Sequence, residues 1–233
     1  MTTLFISGID TDIGKTIACG CLANTLLSKG HNVFTQKWVE TGVPESDVRI
    51  SQDLAAHQRI SNARFNTENY ELHAPYLFKV AASPHLAAKL EDQEIDCSYL
   101  VEQTRKLESQ CEHLLIEGAG GLCVPLTHDK LTVDLIEELE LPIILVTSGK
   151  LVSINHSILS LEYCQQRNLE VRAIIYNEFP NINPKILEDS RDILTKHAKT
   201  RYPNIAWIDM SVNATILALN HEVESALLKN RNK

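Results

Sequence analysis

The segment Gly8-Ile9-Asp10-Thr11-Asp12-Ile13-Gly14-Lys15-Thr16 stands between an apolar run at 3–7 and a helical pattern at 13–28. The run reads as a strand, and Lys29-Gly30 supplies a C-cap signal for the helix. Gly14-Lys15-Thr16 matches the end of a Walker A motif, although five residues rather than four separate Gly8 from Gly14. A strand that delivers a glycine loop onto a helix N-terminus aims backbone N–H groups, here those of Asp12, Ile13 and Gly14, at an anion. Lys15 would neutralise the charge of β- and γ-phosphates, and the Thr16 hydroxyl would ligate Mg²⁺. Asp10 and Asp12 repel phosphate if they face inward, so at least one is expected to point away or to help hold a cation.

Outward from this loop, strands and helices alternate. Strand patterns fall at 32–36, 113–116, 142–147, 171–176 and 205–208. Helical patterns fall at 51–58, 84–90, 98–109, 154–167, 184–196 and 212–228. The strands are unbroken apolar runs rather than alternating ones, as expected of a parallel sheet covered on both faces. With no linker, repeat or low-complexity tract, residues 1–233 read as one α/β domain. The expected fold is P-loop NTPase-like: doubly wound, mostly parallel, with helices on both faces. The stretch 66–84 is the least regular and is a candidate loop over a site.

The 233 residues include 22 Lys+Arg and 30 Asp+Glu, a net charge of −8. No basic face exists for a general polyanion binder, so no nucleic-acid partner is expected. A small polyphosphate needs only a local site and is not excluded. No apolar run reaches the roughly 18 residues of a membrane span. The first residues carry no basic n-region, so neither a signal peptide nor a membrane partner is expected. The six cysteines include no C-x-x-C pair and read as free thiols of a reducing cytoplasm. The nine histidines show no paired metal spacing such as H-E-x-x-H.

Phosphoryl transfer needs Mg²⁺, and Mg²⁺ needs oxygen ligands in octahedral order. Glu117 leaves the strand at 113–116, where a Walker-B-type acid would sit. Gly118-Ala119-Gly120-Gly121 follows, small enough for backbone and ligand to approach. Asp53 stands in a first helical turn, where an acid ordinarily stabilises the helix dipole. Lys37 ends the second strand at the carboxyl edge, where α/β ligands bind. Such a lysine either meets an acceptor anion or is simply solvated.

The ordered set of motifs resembles the dethiobiotin synthetase family, ATP-dependent carboxylases of biotin synthesis. The phosphate loop is similar to that family's G-T-D-T-x-V-G-K-T. Lys37-Trp38-Val39-Glu40-Thr41-Gly42 resembles its K-P-V-x-[ST]-G, and Ser83-Pro84-His85 its S-P-H. Glu117-Gly118-Ala119-Gly120-Gly121 matches E-G-A-G-G. Gly149-Lys150-Leu151-Val152-Ser153-Ile154-Asn155-His156 resembles x-K-L-G-x-I-N-H, and Tyr176-Asn177-Glu178 a nucleotide-binding x-N-x. Three positions depart: Trp38 replaces a proline, Val152 a glycine, and Ala206 a proline near the adenine.

The resemblance implies that 7,8-diaminopelargonate, CO₂ or bicarbonate, and ATP are converted to dethiobiotin, ADP and phosphate. It implies catalytic roles for Lys37, Lys15 and Thr11, and Mg²⁺ held by Thr16, Asp53 and Glu117. Nucleotide contacts are implied for Asp12, Ile13, Gly14, Lys15, Thr16 and Asn177, the last reading adenine. Substrate contacts are implied for Thr41, Ser83, Gly118, Ala119, Ser153 and Asn155. A homodimer is implied, with the Asn155 segment closing the partner's pocket.

Three other readings share the loop. Partitioning and septum-site switch ATPases carry an early signature lysine, but Thr11-Asp12-Ile13 offers none. Their basic amphipathic segment is also lacking, since the basic tail 227–233 is short and polar. Cobyrinate-type amidases need a further glutaminase domain, for which 233 residues leave no room. A degenerate nucleotide-binding partner would not need Lys15, Thr16, Lys37, Asp53 and Glu117 together.

Overall fold

A computed structural model describes residues 1–46, 48–62, 69–179 and 183–229. Its hub is β1 (Thr2–Gly8), which pairs in parallel with β5 (His113–Glu117) on one side and β6 (Ile143–Ser148) on the other. Beyond β5 lies β2 (Val33–Lys37), and beyond β6 lie β7 (Val171–Asn177) and β8 (Ala206–Met210). The order β2-β5-β1-β6-β7-β8 is parallel throughout. Every strand therefore delivers its carboxyl end to one edge. Gly8, Lys37, Glu117 and Asn177 are all last residues of strands, so the topology gathers them there.

The unbroken apolar runs follow from burial on both faces. Leu4 and Ile6 point to one side with Leu115, Ile144, Val146 and Ile175, under α1 (Lys15–Ser28) and α9 (His221–Leu228). Phe5 points to the other side with Leu114, Ile116, Ile143, Leu145 and Ile174. That face is covered by α4 (Pro84–Leu90), α5 (Cys97–Glu108), α6 (Thr132–Glu138), α7 (Ser153–Gln166) and α8 (Pro184–Arg201). Helix α2 (Gln52–Ser61) lies on α1, not on the sheet's centre. A Cβ at Gly20 would stand 2.9 Å from Ile60 Cδ1, so a glycine in mid-α1 lets the two helices approach closely.

Four features differ from the sequence-based expectation. The helix expected over 212–228 is only α9: Asn213 takes φ 65°, and the Asn220 side chain caps a later start by accepting from Val223 N. Helix α6 goes unforeseen because it is seven residues long and carries little periodicity. The stretch 66–84 is more ordered than a loop. Residues 66–68 lie outside the described residues, but α3 (Tyr70–His73) and β4 (Tyr76–Phe78) follow, and β4 pairs in parallel with β3 (Val39–Thr41). Finally, Ala206 opens β8 opposite Ala173, whereas Asn177 pairs with Met210. Four strand residues, about 13 Å, separate Ala206 from that edge, so it is not beside a base held at Asn177.

Candidate functional site

The phosphate loop is held open by its backbone. Asp12 has φ 52° and Gly14 has φ 101°. A Cβ on Gly14 would fall 2.5 Å from Asn177 Nδ2, so no other residue fits. Asn177 Nδ2 donates to Ile13 O at 2.9 Å, which ties the end of β7 to the loop. Asp10 is the acid that turns away: it is exposed, and its carboxylate accepts from Thr11 N at 2.7 Å. Lys15 Nζ donates to Asp10 O at 2.9 Å across the loop. Burial, and next the charge of Lys37, lower the Lys15 pKa to about 8.

Behind the loop, Thr16, Asp53 and Glu117 meet. Thr16 Oγ1 lies 2.9 Å from Asp53 Oδ1 and 2.9 Å from Glu117 Oε1. Lys37 Nζ lies 2.6 Å from Asp53 Oδ2 and 2.8 Å from Glu117 Oε1, and donates to Gly118 O at 3.1 Å. Burial works to raise the Glu117 pKa, but the Lys37 charge and the His57 hydrogen bond outweigh it and hold it well below the usual range. Burial likewise works to lower the Lys37 pKa, and the two carboxylates reverse it, so the ammonium stays charged. The donor set is hard oxygen from one hydroxyl and two carboxylates, drawn together around a cation. That chemistry fits Mg²⁺.

Asp53 is placed by the start of α2. Ser51 caps the helix by accepting from Leu54 N at 2.9 Å. Glu40, reaching from β3, accepts from Gln52 N at 2.8 Å, Asp53 N at 3.4 Å and the Ser51 hydroxyl. The first-turn donors are thus satisfied by an anion, as the helix dipole favours. His57, four residues beyond Asp53 and fully buried, brings Nε2 to 2.8 Å from Glu117 Oε2.

Trp38 replaces proline without loosening Lys37. Its ring is buried 4.8 Å from Phe5, and its Nε1 donates to Thr104 Oγ1 at 3.0 Å. Thr104 in turn donates to Gln36 Oε1 at 2.8 Å. The residues on both sides of Lys37 are thereby fixed to α5. Trp38 N also donates to Glu117 O at 3.4 Å, a bond proline could not make.

The phosphate loop, Lys37, Asp53 and Glu117 line a cavity of about 810 Å³. Of the residues singled out from the sequence, Thr11, Asp12, Gly14, Lys15, Thr16 and Lys37 line it, as do Thr41, Asp53, Glu117, Ala119 and Asn177. Gly118 offers its carbonyl to Lys37, and the Ile13 carbonyl holds Asn177. Three others are not brought there within one chain. Ser83 precedes α4, Ser153 Oγ is buried 3.3 Å from Ser148 Oγ, and Asn155 is exposed on α7. Sequence reasoning missed Glu40, His57, Arg59, Lys150 and Phe179. Lys150 Nζ reaches Asp12 O at 3.3 Å, while Arg59 and Phe179 line the cavity. Signals existed for His57, since i,i+4 spacing puts it on the same helix face as Asp53, and for Lys150, which stands at the lysine of the x-K-L-G-x-I-N-H stretch.

A family model described as an AAA domain matches residues 2–214. The chain is 42% identical over 208 residues to the ATP-dependent dethiobiotin synthetase BioD 2 of Haemophilus ducreyi, covering 89% of this chain and 97% of that protein. It is 38% identical to the ATP-dependent dethiobiotin synthetase BioD of Chlorobaculum tepidum, covering 84% of this chain and 81% of the relative. Among solved structures, a ParA family ATPase from Chlorobium tepidum superposes with a TM-score of 0.50 at 16% identity, covering 97% of this chain and 89% of that one. The receptor FtsY from Elizabethkingia anophelis gives 0.50 at 16% identity, over 99% of this chain and 64% of that one. The likeness to both is one of fold alone.

Proposed function

This chain belongs to the ATP-dependent dethiobiotin synthetase family, and from that premise we propose how its residues carry the reaction. It is a ligase of biotin biosynthesis that uses ATP to close a ring. The substrates of our reading are 7,8-diaminopelargonate, CO₂ and ATP. One amine captures CO₂ as a carbamate. The carbamate oxygen attacks the γ-phosphate and expels ADP, giving a mixed anhydride whose phosphate can leave where a free carbamate oxygen cannot. The neighbouring amine then attacks the carbonyl, expels phosphate and closes the cyclic urea.

The observation that carries this reading is the meeting of Lys37, Thr16, Asp53 and Glu117 behind the phosphate loop. Thr16, Asp53 and Glu117 would hold Mg²⁺, which when bound supplies charge neutralisation for the phosphates. Asp12, Ile13 and Gly14 cradle the phosphates with backbone N–H groups, and Lys15 neutralises them. Lys37 faces two anions that must approach, the carbamate and the γ-phosphate, and stabilises the charge between them. Thr11 and Thr41 orient the carbamate by hydrogen bonds. Gly118 and Ala119 leave room for the substrate, and Asn177 reads adenine.

Asn155 takes part through a homodimer in which its segment of one protomer closes the other's pocket, whereas Ser83, ahead of α4, and Ser153, buried beside Ser148, are given no part in that closure. Support comes from exposed apolar residues: Leu151, just before α7, is 92% exposed, and Leu159, 60% exposed, lines a hollow of about 910 Å³ with Leu122 and Tyr163. The setting we propose is the cytoplasm. The six cysteines are free, and no helix among the described residues is long and apolar enough to cross a membrane.

The deciding assay supplies diaminopelargonate, labelled bicarbonate, Mg²⁺ and ATP. Label is expected in a cyclic urea with matching release of ADP and phosphate, and an unlabelled product pool would overturn the reading.

A further inference from the structure

The amino-terminal end of the sheet, opposite the nucleotide edge, carries a second constellation. Its core is His31, Glu112 and His113, each able to offer one ligand atom within 4.8 Å of the other two. His113 Nε2 lies 3.3 Å from His31 Nδ1, and Glu112 Oε2 lies 3.8 Å from the same His31 nitrogen. Tetrahedral zinc with bonds of 2.0–2.1 Å separates its ligands by about 3.3 Å, so these spacings need little adjustment. We propose that His31, His113 and Glu112 form a site for a tetrahedral divalent transition ion of the zinc class, one that pins the fold and takes no part in turnover.

Two of the three ligands are oriented by neighbours, as in a metal site. His31 Nε2 lies 3.4 Å from Glu224 Oε1, the carboxylate–histidine arrangement that fixes which nitrogen is free for the metal. With the Nε2 proton given to Glu224, His31 Nδ1 presents its lone pair to the site. Glu112 Oε2 is oriented by Asn32 N at 2.9 Å, and Asn32 O accepts from both Glu112 N and His113 N, at 2.9 and 3.1 Å. Binding at Nε2 leaves the His113 proton on Nδ1, a buried atom without a hydrogen-bond partner among the described residues. His113 is buried while Glu112 is exposed, which leaves a solvent-facing fourth position and an entry path. The other charges nearby are Lys29, paired with Glu224, and the Met1 amino group.

The sequence hides this site, because 82 positions separate His31 from His113. The parallel register of β2 and β5, with Val33 opposite His113, brings them together. Glu224 adds α9, so an ion here joins the entry to β2, the start of β5 and the last described helix. Glu117 ends the strand that His113 begins, about 13 Å away, which separates this ion from the reacting groups.

The test uses Co²⁺ as a coloured stand-in for zinc, on full-length protein with the phosphate loop kept saturated by Mg²⁺ and ADP. Tetrahedral Co²⁺ absorbs intensely in the visible, whereas an octahedral oxygen site does so only weakly. One equivalent of intense absorption, displaced by Zn²⁺, is expected. His31→Asn and Glu112→Gln should weaken Co²⁺ binding at least tenfold, and Glu224→Gln by roughly 10–100-fold. Turnover of all three should match wild type, and Zn²⁺ should raise the melting temperature of wild type but not of His31→Asn. Both replaced ligands are partly exposed, and a melt in chelator checks that the variants fold. Only octahedral bands, or equal affinity in wild type and variants, would overturn the site.

Discussion

Lys15 and Lys37 enter the same cavity with different partners, and that difference sets their consequences. Lys37 is held by two carboxylates, whereas Lys15 leans on a loop carbonyl. Lys15→Ala should therefore weaken ATP binding itself. Lys37→Ala should leave much of that affinity in a calorimetric titration while kcat falls by about 10²–10³, the cost of losing one transition-state electrostatic contact. Equal loss of ATP affinity in both variants would refute this assignment. The Lys15 pKa of about 8 gives a pH dependence of definite sign. A bound triphosphate raises that pKa, so binding above pH 8 takes up a proton and affinity falls as pH rises. Calorimetry in two buffers of different ionisation enthalpy reads the uptake directly. His57 acts through Glu117, so His57→Leu should raise the Mg²⁺ concentration for half-maximal rate by roughly 10–100-fold while sparing the rate at saturating Mg²⁺.

Two connections between elements show how local geometry departs from family habit. Val152, where the family has glycine, sits at the start of α7 with φ 72°, a conformation a β-branched residue adopts only under strain. The family's glycine thus has a backbone reason. Val152→Gly should stabilise the fold by about 1 kcal/mol, read from denaturant midpoints at constant m-value. An unchanged or lower midpoint would mean that packing of the Val152 side chain offsets its backbone strain. Trp38 shows the opposite case. Proline would limit Lys37 through its own ring, whereas Trp38 does so through Phe5, Thr104 and a backbone bond to Glu117.

For the whole molecule, Ser83, Ser153 and Asn155 do not line the cavity of one chain, and the proposed dimer would bring the exposed Asn155 to the partner's pocket. Leu159→Asp places a charge on the exposed face of α7 and should give a monomer by light scattering. Its turnover should be low at concentrations where wild type is dimeric and active; a fully active monomer would remove the partner from the mechanism. The net charge of −8 is compatible with anionic substrates because Lys15 and Lys37 are concentrated at one edge of the sheet. That gathering was legible in the chain: Gly14-Lys15-Thr16 follows the first strand, and Lys37, Glu117 and Asn177 stand at or just past apolar runs. Parallel pairing must bring such strand ends to one edge. The strand interiors were legible for the same reason, since burial on two faces demands unbroken apolar runs. The remainder depended on distances along the chain that no local pattern measures. Glu40 caps α2 from a three-residue strand, His57 meets Glu117 across 60 positions, and His31 meets His113 across 82. Sequence determined which residue types reach the nucleotide edge, because strand polarity and hydrophobic burial are written locally. Tertiary structure alone decided which carboxylate holds which cation, because that depends on register and helix packing between segments far apart in the chain.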